Sequence, residues 1–155
     1  MLRAAEPADL DGIMAIENAS FPTDAWSEAS MAAELVSPHN VYLVDENGSG
    51  VIGYGGVRAL RGGVDADIQT IAYDAGQRGK GRGRTLLRAL LTAASERGAR
   101  EVFLEVRADN PAAHRLYVSE GFQEIGRRPR YYQPDDVDAI VMRLDLRSRK
   151  EGADD

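Results

Sequence analysis

The segment Arg78-Gly79-Lys80-Gly81-Arg82-Gly83 alternates basic residues with three glycines, and Arg84 follows. Residues of these types at this spacing suit an anion. Glycine lets a ligand approach the backbone without side-chain obstruction. Where such a segment opens a helix, free N–H groups point outward and the helix dipole favours negative charge. Four cations, Arg78, Lys80, Arg82 and Arg84, fall in this one turn. At a helix N-terminus each exposed positive charge is unfavourable by roughly 0.3–1 kcal/mol, so something anionic should offset them. A diphosphate does so naturally. The segment lacks the Gly-Lys-Ser/Thr ending of a P-loop. Its Gly-x-Gly-x-Gly spacing also departs from the Gly-x-Gly-x-x-Gly dinucleotide fingerprint. A solvated basic turn is the alternative reading.

Other polar residues have ordinary explanations when taken singly. Glu105 alternates with Leu104 and Val106 and so faces away from them, where a strand carboxylate is commonly solvated. Tyr117 beside Leu116 suits a core aromatic. Asn110 before Pro111 suits a helix cap.

The surrounding elements can be placed from pattern. Leu2 to Ala5 reads as a strand, and Asp9 as the cap of a helix carrying Leu10, Ile13, Met14 and Ile16. Pro22 to Asp24 is a turn. Ser27 caps a second helix, to Leu35. Val41–Asp45 and Val51–Leu60 are strands joined by a hairpin turn with Asn47-Gly48. Ala66 to Tyr73 is a further strand. The basic loop then opens a helix from about Gly83 to Arg97, with Leu86, Leu87, Leu90 and Leu91 as an apolar stripe and Gly98 as its stop. Glu101 to Arg107 is a strand, and Pro111 to Glu120 a helix. Phe122–Gly126 and Ala139–Leu146 are strands joined by a polar loop from Arg127 to Asp138. The order β-α-α-β-β-β-α-β-α-β-β implies an α/β (α+β) sheet with helices on its faces.

The chain has 155 residues, which fits one domain (1–147) and a polar tail (148–155). There is no cysteine, which excludes a disulfide scaffold, a thiolate zinc site and a cysteine nucleophile. His39 and His114 have no ligand-spaced partners, so no metal site is expected. The apolar runs are too short to span a bilayer, and the start lacks a secretory signal pattern. A soluble cytoplasmic protein is the expectation. Residues 1–75 carry 12 Asp and Glu against 3 Lys and Arg, a net of −9, while residues 76–155 carry 13 against 16, a net of +3. Such halves suit one cationic and one anionic ligand, or are uneven surface decoration.

Arg78-x-x-Gly81-x-Gly83, after Ile71-Ala72-Tyr73-Asp74 and before Leu86-Leu87, resembles the coenzyme A pyrophosphate loop of the GNAT acetyltransferases. The element order resembles that fold along nearly the whole chain. Four separated blocks are similar to the RimI-type ribosomal-protein-alanine N-acetyltransferases. These are Phe21…Trp26-Ser27-Glu28, Asp67-Ile68-Gln69-Thr70-Ile71-Ala72, Leu104-Glu105-Val106-Arg107 through Asn110-Pro111 to Glu120-Gly121-Phe122, and Arg130-Tyr131-Tyr132…Asp138 to Met142.

The resemblance implies a GNAT fold, a mixed and mostly antiparallel sheet with helices on both faces. It implies acetyl-coenzyme A as cofactor, held by the Ile71, Ala72 and Tyr73 backbone, by Arg78, Gly79, Lys80, Gly81, Arg82, Gly83 and Arg84, and by Asn110. It makes Glu105 the general base and Tyr117 the general acid. It sets Phe21, Trp26, Tyr131 and Tyr132 along the substrate groove. The substrate implied is the N-terminal alanine of a small-subunit ribosomal protein. No direct nucleic-acid or membrane partner is expected, and a monomer or weak dimer is. An acetyltransferase of lysine or small amines, and a non-catalytic coenzyme A-binding module, are the alternatives. Thr23 to Ala25 lengthen the spacing between Phe21-Pro22 and Trp26-Ser27, a departure from the family's tighter pattern.

Overall fold

The computed structural model describes residues 1–148. Its strands are β1 (Leu2–Ala4), β2 (Asn40–Asn47), β3 (Gly50–Arg58), β4 (Asp65–Tyr73), β5 (Glu101–Arg107), β6 (Gln123–Tyr132) and β7 (Val137–Asp145). Its helices are α1 (Leu10–Ser20), α2 (Glu28–Val36), α3 (Arg82–Glu96) and α4 (Pro111–Ser119), with 3-10 turns at Pro7–Asp9 and Ala75–Gln77. The strands form one sheet in the order β1-β2-β3-β4-β5-β7-β6. Neighbours are antiparallel except β4 and β5, which are parallel. Most of the tail expected at 148–155 lies outside the described residues.

Two cores hold helices to the two faces. Leu86, Leu87, Leu90 and Leu91 of α3 are buried with Val102, Leu104, Val106, Tyr117 and Phe122. Ile13, Ile16 and Met31 of α1 and α2 are buried with Tyr42, Val44, Tyr54 and Ala72 on the other face. Each fully buried aliphatic side chain contributes about 1.5–3 kcal/mol. Local signals set the helix ends. Ser27 Oγ accepts from the Ser30 N–H at 3.1 Å, and Asn110 Oδ1 from the Ala113 N–H at 3.2 Å. Gly98, at φ +104°, ends α3.

Asp9 does not cap α1. It already has helical dihedrals, and its carboxylate instead accepts from Arg3 and from the Glu6 N–H, each at 2.8 Å. The expected loop from Arg127 to Asp138 is mostly strand, because β6 runs to Tyr132 and β7 starts at Val137. β6 is an edge strand exposed along nearly its whole length, so no apolar alternation marks it. An edge also tolerates Pro129.

One irregularity shapes the centre of the sheet. Ile68 and Ile71 are three residues apart, yet both pack against the α3 core. The residues between them face the other way. Gln69 accepts from the Tyr42 hydroxyl at 2.7 Å, and Thr70 Oγ1 lies 3.5 Å from the Tyr54 hydroxyl. A β-bulge allows this, since Gly56 pairs with Thr70 and Val57 with Ile68, leaving Gln69 unpaired. On its other side β4 pairs with β5 only through Asp65–Asp67 against Glu101–Phe103.

Candidate active site

Beyond Asp67 and Phe103 the two central strands part. The cleft between them, about 160 Å³, is lined by residues 68–71 of β4 and 104–107 of β5. Asn110, Ala113 and Tyr117 reach it from the α4 side of the sheet, and Glu17, Phe21 and Trp26 from the α1–α2 side. It adjoins a groove of about 550 Å³ walled by Trp26, Asp67, Phe103, Arg128, Tyr131 and Tyr132. An opening lined from both layers can admit one ligand from each face.

Strand alternation puts Glu105 on the face away from buried Leu104 and Val106, as expected. Its Oε1 lies 3.5 Å from Arg128 Nε. Its Oε2 is buried and has no hydrogen-bond partner among the described residues. A buried acceptor left unmet costs on the order of 1–3 kcal/mol, which a ligand or water in the cleft recovers. Tyr117 is both a core aromatic and a cleft residue. Its ring meets Phe122 edge-on at 5.8 Å. Burial pushes the phenol up to about 12. Asn110 spends Oδ1 on the α4 cap, which leaves its amide N–H groups for a ligand.

The basic loop is bent as its glycines require. Gly79 and Gly81 both stand at φ +78°, and a Cβ at either would meet no atom within 4 Å. Only glycine takes this conformation readily, and the space beside it is open. Gly81 is the N-cap of α3 and supplies no side-chain acceptor, so the first N–H groups of the helix await an outside partner. The Tyr73 hydroxyl donates to Asp45 at 2.8 Å, and Arg82 lies 3.6 Å from the same carboxylate with its Nε buried and unpartnered among the described residues. These features fit a diphosphate.

Two of the expected cations are turned elsewhere. Arg78 donates to the Tyr73 carbonyl at 3.1 Å and to Ser20 at 3.2 Å. Arg84 lies on the side of α3 facing α4, where buried Glu120 accepts from it at 2.5 Å. Arg78 braces the loop and Arg84 ties α3 to the end of α4, and Lys80 and Arg82 are left at the loop's mouth. Of the expected strand contacts, Ile71 lines the cleft, while the Ala72 and Tyr73 side chains are buried in opposite cores. Those two residues offer a ligand only backbone. Phe21, Trp26, Tyr131 and Tyr132 all line the cleft or groove.

Among the lining residues that the sequence reading did not assign to the site, two are charged and closely held. Glu17 is 2% exposed, accepts from the Trp26 N–H at 2.9 Å and takes a hydrogen bond from the Tyr54 hydroxyl. A carboxylate one residue after Ile16 was the available signal. Arg107 contacts three carboxylates at the cleft mouth.

Known proteins resemble this chain in sequence and fold. The acetyltransferase (GNAT) family model matches residues 10–122. N-alpha-acetyltransferase RimI of Mycobacterium tuberculosis is 44% identical over 124 residues, covering 79% of this chain and 77% of that one. The ribosomal protein bS18-alanine N-acetyltransferase of Escherichia coli is 33% identical over 145 residues, covering 91% and 94%. A crystal structure of that Escherichia coli activity superposes with a TM-score of 0.82 at 29% identity, covering 94% of this chain and 93% of its own. The Salmonella typhimurium protein yncA, solved with its cofactor acetyl-CoA, shares the fold with a TM-score of 0.80 at 23% identity, covering 94% and 93%. With its family pattern matched over most of its length and a relative alike across nearly all of it, the chain belongs to the GNAT acetyltransferase family.

Proposed function

We propose that this protein acetylates the N-terminal alanine of a ribosomal protein, using acetyl-coenzyme A. The observation that carries the proposal is the cleft between β4 and β5. It brings the unpartnered Glu105 oxygen and the Tyr117 phenol to one opening lined from both faces of the sheet. The names of the Mycobacterium tuberculosis and Escherichia coli relatives support the substrate.

Acetyl-coenzyme A supplies the activated acetyl thioester. Gly79 to Arg82 and the start of α3 hold its pyrophosphate, and Asn110 adds an amide donor. β4 beyond Asp67 lacks a strand partner on its β5 side, so N–H groups there can polarise the acetyl carbonyl. Glu105 takes the proton from the incoming ammonium, directly or through water. A protein α-amino group has a pKa near 8, roughly, so this asks little of a carboxylate; a lysine amine near about 10.4 asks more. Tyr117 holds a proton at its hydroxyl for the sulfur leaving group. Burial keeps that phenol protonated at every physiological pH.

The test is acetyl-coenzyme A turnover, followed by thiol release, with two peptides. One begins with free alanine. The other is the same sequence with a blocked N-terminus and an internal lysine. Turnover of the first alone is the expected result. Turnover of the second alone would move the assignment to lysine side chains.

A further inference from the structure

Arg107 stands two residues beyond Glu105 on β5 and so shares its face of the sheet. Its guanidinium lies 3.2 Å from Asp24, 2.9 Å from Asp109 and 2.9 Å from Asp135. It also sits over the Tyr132 ring, 5.2 Å from the centroid. The Thr23 hydroxyl donates to Asp135 at 2.6 Å. Thr23 and Asp24 belong to the lengthened turn between α1 and α2, and Asp135 to the turn between β6 and β7. Arg107 therefore ties the α1–α2 turn to the β6–β7 turn beside the cleft that Asp24 and Arg107 line. A guanidinium, with five donors in a rigid fork, suits this better than a lysine.

The charges at this junction do not balance. One cation faces three carboxylates. The neighbouring Glu105–Arg128 pair sums to neutral, and Asp67 on the groove wall faces Arg58 on β3, so neither offsets the surplus at Arg107. The Arg107, Asp24 and Asp135 side chains are 17%, 19% and 35% exposed and Asp109 is 53% exposed, so water screens the surplus least at Asp24 and most at Asp109.

We infer that Arg107 is a positioning residue that pins the α1–α2 turn to the β6–β7 turn beside the cleft, and that the carboxylates it leaves uncompensated select substrates with positive charge in the residues after the acetylated amine. The inference rests on the peptide-acetylation reading above. It names a property of the substrate that a matching first residue does not supply.

The experiment measures kcat and KM for three alanine-initiated peptides that differ only at the next three positions, filled with arginine, serine or glutamate. The order expected is arginine, serine, glutamate, with about a threefold step per charge, carried by KM and compressed by added salt. Asp135→Asn keeps an oxygen for Thr23 and removes one charge, so it should narrow the ratio through KM. Asp135→Glu should restore it. Equal KM values for the three peptides, or a ratio that Asp135→Asn leaves untouched, would overturn the inference. In either case turnover of the serine peptide leaves N-terminal acetylation standing. If no alanine peptide turns over, both readings fall together.

Discussion

The Arg128 guanidinium on β6 reaches past β7 to lie 3.5 Å from Glu105 Oε1 on β5, and so engages one carboxylate oxygen while the other stays buried and unmet. Steered by one contact and open at its second oxygen, Glu105 is placed to accept a proton. Glu105→Gln keeps the shape and removes the base we propose. Turnover should fall by about 10²- to 10⁴-fold while acetyl-coenzyme A binding, measured by calorimetry, persists. Near-normal turnover would remove Glu105 from the base role.

Tyr117 gives a pH test. Its phenol is raised from 10.0 to about 12 by burial, so the folded protein holds this proton more tightly than the unfolded chain. The stabilisation is whole below pH 10 and is lost as pH rises toward 12. Chemical denaturation across that window should show the loss in the native enzyme and less of it in Tyr117→Phe. The same variant should lower kcat and spare cofactor affinity.

Gly81→Ala tests the loop. The left-handed backbone at φ +78° costs an alanine roughly 1–2 kcal/mol, and the added methyl meets no atom of the described residues within 4 Å. A modest drop in stability should therefore accompany a larger rise in the KM for acetyl-coenzyme A. If only stability moves, the open space beside Gly81 is not where the cofactor lies.

Glu17 should prove a structural acceptor. Glu17→Ala strands the Trp26 N–H and the Tyr54 hydroxyl in a buried site and should cost about 2–4 kcal/mol in urea unfolding. Glu17→Gln can still accept from Trp26 and donate to Tyr54, so its cost should be smaller, about 1 kcal/mol. Equal losses would mean that the charge, and not the hydrogen bonds, matters at this position.

The parts of the protein legible in the sequence are those that local chemistry decides. Asn110, Ser27 and Gly98 mark helix ends because each satisfies, or bends toward, groups within a few residues. Glu105 was placed on its face by alternation alone. What escaped depends on distant partners. Arg84 looked like a loop cation until Glu120, 36 residues away, claimed it. β6 was hidden because a strand exposed on both faces carries no apolar period. The bulge at Gln69 shows itself only through the partners of its neighbours. The same holds for Arg107, whose carboxylates come from three separate segments, although the long Thr23–Ala25 spacing flagged one of them.

The short pairing of β4 with β5 gives this sheet four edges. Two are outside, on β1 and β6, and two face each other within the cleft. Unpaired strand edges ordinarily invite aggregation, because any extended chain can bond to them. Here the inner edges lie within the cleft that α4 and Arg107 help to line. The amides along these edges should exchange with deuterium faster than those in the same strands that face β3 and β7, and a ligand threaded between them should slow that exchange.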